Sequence, residues 1–330
     1  YITVVRNPDY WGEKAKLQRI TFKFMPDPET RVLALEAGDV DMIVRVPTES
    51  VDEIKKTSGL KVLSSEVGST TYLCSLLNGK PPYDLLANRQ IRYAIALAID
   101  RDSIVKNVWE GHAKVNQTVN PPAILGEHKS LVTGFTYDRE RAKALLEEAG
   151  WKVGTDGIRV NNGRRLSFTL VSGFPSTEVH RPLPEVIQAQ LRQVGVEVKI
   201  TEAEGGLYSS MLKEGKGDLW LERGPQNDAQ PPFLAYLLCH SKGIYSKIYG
   251  GPFAIGGKFD KLMDNAMSAP DTNVCARCTA EALHELIDEE AVVIPIAAHF
   301  EIWGVKETVV GFVPHRSHVN QHRNKVYLKR

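Results

Sequence analysis

Two groups of side chains in the sequence have spacings that could support chemistry. Cys275 and Cys278 form a Cys-x-x-Cys pair, which is the spacing of zinc sites and of thiol redox motifs. Three histidines, His315, His318 and His322, also lie close together. A zinc site needs a second ligand pair, and a redox pair belongs at a strand-to-helix junction of a thioredoxin-like domain. The sequence offers neither context, so we interpret the cysteines as helix-surface residues one turn apart and the histidines as part of a polar loop.

The common catalytic motifs are absent from the sequence. It contains no G-x-G-x-x-G after a strand, no G-x-x-x-x-G-K-S/T, no H-E-x-x-H and no G-x-S-x-G. A nucleophile with its general base is not recognisable either. We therefore expect a protein that is not an enzyme and that carries no cofactor.

Composition and charge argue against several other classes of protein. The chain has 330 residues, with 41 Lys+Arg against 40 Asp+Glu and a hydrophobic fraction of 42%. A net charge of +1 without a basic block argues against nucleic-acid binding, which requires a basic face to neutralise phosphates. The apolar content is too high for a disordered chain. The sequence contains no run of about 18 apolar residues, which is the length needed to cross a bilayer. A chain of this length usually forms about two domains.

The elements that must position any site alternate between strands and helices. The clearest unit consists of the strand LSFTLVS, the helix LPEVIQAQLRQV and the strand VEVKITEA, which predicts two parallel strands under a crossover helix. A helix is predicted over Asn88–Val108, interrupted near Asp100, and the segments LKVLSSEV and TTYLCSLLN are predicted as a pair of strands. The alternation predicts an α/β fold whose ligands bind at strand ends or between domains.

Five phrases along the chain resemble the family 5 extracellular solute-binding proteins, which deliver peptides, nickel chelates and related solutes to ABC importers. The phrases follow one another over residues 1 to about 315. They are VRNPDYWGEKAKLQRITFKFMPDPETRVLALEAGDVDMI, LLNGKPPYDLLANRQIRYAIALAIDRDSIVKNVWEGHA, YDRERAKALLEEAGW, HRPLPEVIQAQLRQVGVEVKI and EEAVVIPIAAHFEIWGVKETVVGFVP.

This resemblance implies an α/β fold of the two-lobed periplasmic-binding-protein type II, with the ligand held between the lobes. Residues 1–75 would form a partial first lobe, residues 76–303 the second lobe, and residues 304–330 a return segment to the first lobe. The crossing segments would be Thr71–Asn78 and Phe300–Val305. Family members carry further residues before the VRNPDYWG phrase, and the first residues here read as a strand already under way. The first lobe is therefore expected to be incomplete and to expose an apolar face.

Two positions match the residues that hold a peptide in this family. Arg181 matches the position that binds the peptide carboxylate, and Asp228 matches the aspartate that receives the peptide amine. A buried charge without a partner costs several kcal/mol, and a guanidinium and an aspartate are suitable partners for these two groups. The alternatives are an exposed arginine at a helix start, which the helix dipole disfavours, and an aspartate in an Asx turn.

The loop that contains the aspartate also supports a second class of ligand. Nickel-binding relatives carry Trp-Gly at its start and a tyrosine near its aspartate, whereas this chain has Arg223-Gly224 and Asn227. An added arginine would favour a ligand with more than one carboxylate, such as a metal chelated by histidine or by an opine-type carrier.

His240 and Tyr245 are further candidates for the ligand site. His240 lies about where nickel-binding relatives place a histidine that touches the metal complex, and Tyr245 is expected to face the ligand. The alternative for His240 is a helix-end histidine satisfied by carbonyl groups, and the alternative for Tyr245 is a surface position. No metal site formed by the protein itself is predicted.

The resemblance thus implies the substrate-binding component of an ABC importer, which captures short peptides for import. It implies a permease as the partner, a monomer, and a periplasmic or extracellular place in association with the membrane. Capture of a metal chelate is the alternative, and a chaperone-like or sensory relative is a second alternative. A hydrolase on the same scaffold lacks the motifs that it would need. Because both peptide anchors match and the aromatic pair of the nickel pattern is absent, we favour peptides.

Overall fold

The computed structural model describes residues 1–119, 122–173, 182–203, 205–224, 232–315 and 323–329, with all their side chains except those of residues 66–69 and 122–124. The chain divides into two compact units, one formed by Tyr1–Gly68 with His299–Arg330 and the other by Ser69–Ala298. We call them unit 1 and unit 2. The lobe limits expected from the sequence remain a prediction.

The strands alternate with helices over most of the described chain. They are β1 (Ile2–Val5), β2 (Arg19–Phe22), β3 (Met42–Val44), β4 (Leu60–Ser75), β5 (Ala113–Val115), β6 (Lys152–Val153), β7 (Arg159–Asn161), β8 (Arg164–Arg165), β9 (Ser167–Ser172), β10 (Glu197–Glu202), β11 (Leu219–Arg223), β12 (Val293–Lys306), β13 (Val309–Val310) and β14 (Tyr327–Leu328).

The α-helices are mostly eight to twelve residues long. They are α1 (Pro28–Glu36), α2 (Val51–Lys56), α3 (Arg89–Ala98), α4 (Arg101–Val108), α5 (Arg139–Glu148), α6 (Leu183–Arg192), α7 (Gly205–Glu214), α8 (Phe233–Cys239), α9 (Ile244–Tyr249), α10 (Gly257–Met267) and α11 (Thr272–Leu283). Three 3₁₀ segments, at Thr48–Ser50, Leu85–Ala87 and Pro122–Leu131, and a π-helical segment at His284–Glu289 complete the helical structure of the described residues.

Local sequence signals explain most of these limits. The interruption expected near Asp100 is real, because the Asp100 side chain accepts a hydrogen bond from the Ser103 N–H at 2.9 Å and so begins α4 as a new helix. The expected pair of strands before Asn78 is wrong. β4 is one continuous strand of 16 residues that runs through Gly68, which lies between the two expected strands. The β-branched Thr70 and Thr71 favour the extended conformation that keeps the strand intact.

Unit 2 contains the parallel strands that the β-α-β pattern predicts. β9 pairs in parallel with both β10 and β11, and β11 pairs antiparallel with β4, with Leu219 opposite Ser75 and Arg223 opposite Thr71. Helix α6 connects β9 to β10 and buries its apolar stripe, which includes Leu183, Ile187 and Leu191. One large apolar cluster fills unit 2 around these strands.

Unit 1 has smaller apolar clusters. Strand β3 pairs antiparallel with the end of β12, and residues such as Leu35, Ile54 and Ile302 pack beside this pair. The hairpin of β1 and β2 is open to solvent and leaves large apolar side chains exposed, with Trp11 at 92% and Phe24 at 87%. None of the helices in the described ranges has the length and apolarity needed to cross a bilayer.

Candidate functional site

Three parallel strands of unit 2 end at the same edge of the sheet. β9 ends at Ser172, β10 ends at Glu202 and β11 ends at Arg223. Each strand is followed by a connection to a helix, which is α6, α7 or α8 respectively. Ligands of open α/β sheets bind outside the carboxyl ends of the strands. We therefore take this edge, which we call the carboxyl edge of unit 2, as the candidate site.

Three of the residues predicted from the sequence belong to these connections. Arg181 falls between β9 and α6, and both Asn227 and Asp228 fall between β11 and α8. All three lie outside the described residues. Their roles as ligand-binding residues therefore stay predictions.

Arg223 is the last residue of β11 and is half-buried. It lies directly opposite Thr71 of β4, and residues paired in this way place their side chains on the same face with Cβ atoms about 5 Å apart. The Gly224 N–H donates to the Thr70 carbonyl at 2.9 Å, so the pairing continues to the end of the strand. A Cβ on Gly224 would come within 2.7 Å of Leu234 Cδ2, so a larger residue here would require that side chain to move. Arg223 therefore extends from a fixed backbone at the carboxyl edge.

His240 follows the last residue of α8 and is buried. Its Nδ1 accepts the Lys242 N–H at 2.9 Å, so Nε2 carries the proton when the imidazole is neutral. Nε2 faces two carboxylates of α10, at 3.2 Å from Asp264 Oδ1 and 3.8 Å from Asp260 Oδ1. The approach to Asp264 is close, although its angle is poor for a hydrogen bond. The ring also stacks on Tyr236, with centroids 4.2 Å apart.

One ring nitrogen of His240, Nδ1, is bonded to the protein backbone, and Nε2 is buried against two carboxylates without a hydrogen bond. A metal complex could reach this imidazole only if the ring moved away from the two aspartates of α10. The geometry thus resembles the alternative interpretation, a histidine at a helix end, except that carboxylates and a backbone N–H replace the expected carbonyl groups. The role of His240 in ligand binding stays a prediction.

Tyr245 lies on α9 and is half-buried. Its hydroxyl donates to Glu222 Oε1 at 3.4 Å, and its ring contacts those of Tyr249 and Phe253. Burial raises the pKa of this phenol, as does the neighbouring Glu222. The hydroxyl therefore stays protonated and acts as a hydrogen-bond donor at physiological pH.

Glu222 is a functional candidate that the sequence analysis missed. It precedes Arg223 on β11 but points to the opposite face, where it lies opposite Tyr72 and is only 3% exposed. Its Oε1 accepts hydrogen bonds from the hydroxyls of Tyr208 on α7 and Tyr245 on α9. Burial raises the pKa of this carboxyl to about 7, although the two hydrogen bonds lower it. The signal in the sequence was a carboxyl group that directly follows the three apolar residues of the strand LWLER.

A second buried carboxyl group lies at the amino end of β11. Asp218 Oδ2 accepts the Thr169 N–H at 2.8 Å, and burial raises the pKa of this carboxyl to about 7. The backbone of Asp218 also bonds to Thr169 and to Leu76. This aspartate therefore helps to hold β9, β11 and β4 together at the edge away from the candidate site.

The residues first considered for metal or redox chemistry lie partly on α11 and partly outside the described residues. Cys275 and Cys278 lie on α11 as free thiols, the first half-buried and the second buried. His318 and His322 lie outside the described residues. In the described ranges, no group of three or more His, Cys, Asp or Glu side chains is arranged to hold a metal ion.

Comparison with known proteins defines the class of this protein. The chain matches the family model of the bacterial extracellular solute-binding proteins, family 5 Middle, over residues 1–246. This match covers more than half of the 330 residues. The chain therefore belongs to family 5 of the bacterial extracellular solute-binding proteins.

Relatives that bind different ligands match the chain. It is 30% identical over 324 residues to the nickel-binding periplasmic protein of Escherichia coli strain K12, covering 96% of this chain and 59% of that protein. It is also 30% identical over 222 residues to the oligopeptide-binding protein AppA of Bacillus subtilis strain 168, covering 67% of this chain and 39% of that protein. The chain thus spans 59% or less of the length of these two relatives.

Solved structures show the same fold. NikA from Brucella suis in complex with Fe(III)-EDTA matches with a TM-score of 0.84 and 25% identity, covering 99% of this chain and 65% of that one. DppA from Helicobacter pylori in complex with the peptide STSA matches with a TM-score of 0.80 and 26% identity, covering 99% and 60%. The expected α/β fold of the type II periplasmic binding proteins is confirmed, and the chain represents part of that fold.

Proposed function

We propose that this chain belongs to the substrate-binding component of an ABC importer and captures short peptides at the carboxyl edge of unit 2. The partner would be a permease that receives the ligand. A monomer in the periplasm or outside the cell, in association with the membrane, fits this role. No catalytic step is part of the proposal.

The observation that carries the proposal is the meeting of three strand ends at one edge. Arg223 extends from the end of β11, and the sequence assigns Arg181 and Asp228 to the connections after β9 and β11. A peptide with free ends needs a cation for its carboxylate and an anion for its amine. The carboxyl edge supplies candidates of both charges. The DppA structure with a bound peptide adds support from a relative with the same fold.

Capture of a metal chelate is the second candidate function. The nickel-binding relative matches over 96% of this chain, and Arg223 adds a guanidinium that would suit a ligand with several carboxylates. Against this reading, His240 is buried, its Nδ1 accepts a backbone N–H and its Nε2 faces the carboxylates of α10. We therefore rank peptide capture first.

Calorimetric titration of the purified protein distinguishes the two functions. One arm uses trialanine, and the other uses Ni²⁺ with L-histidine. Both arms are repeated with protein from which metal has been removed on a chelating resin. A resin is used because a relative binds Fe(III)-EDTA, so soluble EDTA could itself be a ligand. Trialanine should bind with unchanged affinity after metal removal.

Substitutions of arginine sharpen this titration. Arg181→Ala should weaken trialanine binding by about 1.5 to 3 kcal/mol, the range for a hydrogen bond to a charged group. Arg192→Ala is the matched control, since Arg192 is an exposed arginine at the opposite end of α6. Heat that requires metal and histidine together, with no heat from trialanine, would contradict peptide capture and support the chelate.

A further inference from the structure

A buried carboxyl group joins three elements next to the carboxyl edge of unit 2. Glu222 on β11 accepts hydrogen bonds from Tyr208 on α7 and from Tyr245 on α9, the latter at 3.4 Å. Both hydroxyls donate to the same oxygen, Oε1. A carboxylate in water accepts several hydrogen bonds, so two donors on one oxygen leave the charged form poorly compensated.

Among the described residues, the titratable groups that feel the charge of Glu222 are phenols and a thiol, and none is a cation. They come from β4, α7 and α9, and they are Tyr72, Cys74, Tyr208 and Tyr245, with Tyr249 beside Tyr245. Burial raises the pKa of the Glu222 carboxyl to about 7, so it changes charge near neutral pH. Removal of either hydrogen bond would raise this pKa further, because each one stabilises the carboxylate.

The two donors differ in how easily they can leave. Tyr208 is only 4% exposed and packs edge-on against Trp220, whereas Tyr245 is half-buried. The Tyr245 bond of 3.4 Å is also long for a hydrogen bond between two oxygen atoms. Tyr245 is therefore the donor that an incoming ligand can take from Glu222.

We propose that Glu222 is a positioning residue for ligand capture, which holds the Tyr245 hydroxyl in the ligand-free protein and gains a proton when a ligand takes that hydroxyl. The inference rests on the proposed function, since it assigns Tyr245 to the captured ligand. The Tyr245 phenol keeps its own proton and turns its hydrogen bond to a carbonyl or carboxylate oxygen of the ligand. A proton from the solvent forms the new O–H bond on the Glu222 carboxylate, which becomes a neutral acid.

The first test measures positioning without any ligand. Infrared titration of the protonated carboxyl band should show Glu222 changing charge near neutral pH, and Glu222→Gln should remove that signal. Tyr245→Phe should shift its midpoint to higher pH. Asp218→Asn, which removes a second described carboxyl group whose pKa burial raises to about 7, should leave the Glu222 midpoint unchanged. An unmoved midpoint in Tyr245→Phe would overturn the positioning role, whatever the protein binds.

The second test measures the coupling to capture. Trialanine is titrated from pH 6 to pH 9 in phosphate and in Tris, whose different heats of ionisation reveal protons taken up on binding. The affinity of the wild type should fall above pH 7 by up to tenfold per pH unit, the limit for one linked proton. The peptide amine also titrates near pH 8, so the variants are compared with the wild type at each pH.

The variants separate the possible outcomes. Glu222→Gln and Tyr245→Phe should each show a weaker pH dependence of affinity and a smaller proton uptake on binding than the wild type. Asp218→Asn should match the wild type in both. Equal proton uptake in the wild type and in Glu222→Gln would overturn the coupling. If neither trialanine nor nickel with histidine binds to the wild type, the proposed function fails and the coupling to capture fails with it. The infrared titration then still decides whether Glu222 holds Tyr245.

Discussion

The two ends of the β4–β11 pair contain similar buried groups in different settings. At the amino end of β11, Asp218 and Ser75 are at most 2% exposed, and at the carboxyl end Glu222 and Thr71 are at most 3% exposed. Burial raises the pKa of both carboxyl groups to about 7. Neither hydroxyl oxygen has a hydrogen-bond partner among the described residues. The composition of the two ends is therefore nearly the same.

The partners of the two carboxyl groups are what differs. Asp218 bonds to the backbone N–H of Thr169, a group that belongs to the sheet itself. Glu222 bonds to the side-chain hydroxyls of Tyr208 and Tyr245, which come from two helices. A backbone partner within a sheet cannot leave without breaking the strand pairing, whereas a tyrosine can rotate to another acceptor. The comparison suggests that the amino end fixes the sheet and that the carboxyl end can respond to a ligand.

The largest expected effect concerns Asp218. Its pKa rises from 3.8 to about 7 on folding, so the folded state holds the proton more tightly. This stabilisation is present below about pH 4 and is lost as the pH rises to about 7, with a total of about 4 kcal/mol. Asp218→Asn cannot ionise, so its free energy of unfolding relative to wild type should rise by about that amount between pH 4 and pH 8. Urea unfolding at several pH values measures this, and parallel curves for the two proteins would contradict it.

Glu222→Gln should behave in the same direction with a smaller amplitude. The pKa of this carboxyl rises from 4.5 to about 7 on folding, so about 3 kcal/mol of stabilisation is lost as the pH rises through that range. Glu214→Gln is the control, because Glu214 is an exposed residue of α7 whose pKa is lowered by Lys216 and Ser210. The free energy of unfolding of this control, relative to the wild type, should not rise with pH. If the free energy of unfolding of Glu222→Gln changes with pH as that of the wild type does, Glu222 does not titrate in this range and the comparison with Asp218 fails.

The sequence predicted the elements better than it predicted the buried acids. Apolar periodicity and turn residues indicated β9, α6 and β10 in their correct order, and the interruption at Asp100 is a local capping signal. The β4 strand was divided wrongly because a glycine in a strand reads as a turn when its pairing partners are unknown. Local patterns describe neighbours along the chain, and these features depend on such neighbours.

The roles of Glu222 and Asp218 depend instead on distant residues. The hydroxyl donors to Glu222 lie 14 and 23 residues away, and the N–H donor to Asp218 lies 49 residues away. Only the register of β11 with β4 and β9 brings these partners together. Arg181 and Asp228 were assigned through the family resemblance and lie outside the described residues, so for them the sequence remains the source.

Arginine substitutions at the two ends should affect ligand binding unequally, with a loss at the carboxyl edge and no loss at the amino end. Arg223→Ala, at the carboxyl edge, should weaken binding of the captured ligand by about 1.5 kcal/mol or more, because it removes a charged donor. Arg164→Ala is the matched control, since Arg164 pairs with Asp84 and its charge acts on Asp218 at the amino end. Calorimetry with trialanine and with nickel-histidine measures both. Equal losses in the two variants would show that the carboxyl edge has no special part in binding.

The smallest expected effect compares the two buried hydroxyls, Thr71 Oγ1 and Ser75 Oγ. A buried hydroxyl without a partner destabilises the folded state, so Thr71→Val and Ser75→Ala should each raise the free energy of unfolding by about 1 kcal/mol. The two residues share a face of β4, and both substitutions keep the shape of the side chain nearly unchanged. Urea unfolding at pH 7 measures the change. A loss of stability in Thr71→Val alone would mean that its hydroxyl is bonded in solution, and the two ends would then differ in their hydroxyls as well as in their acids.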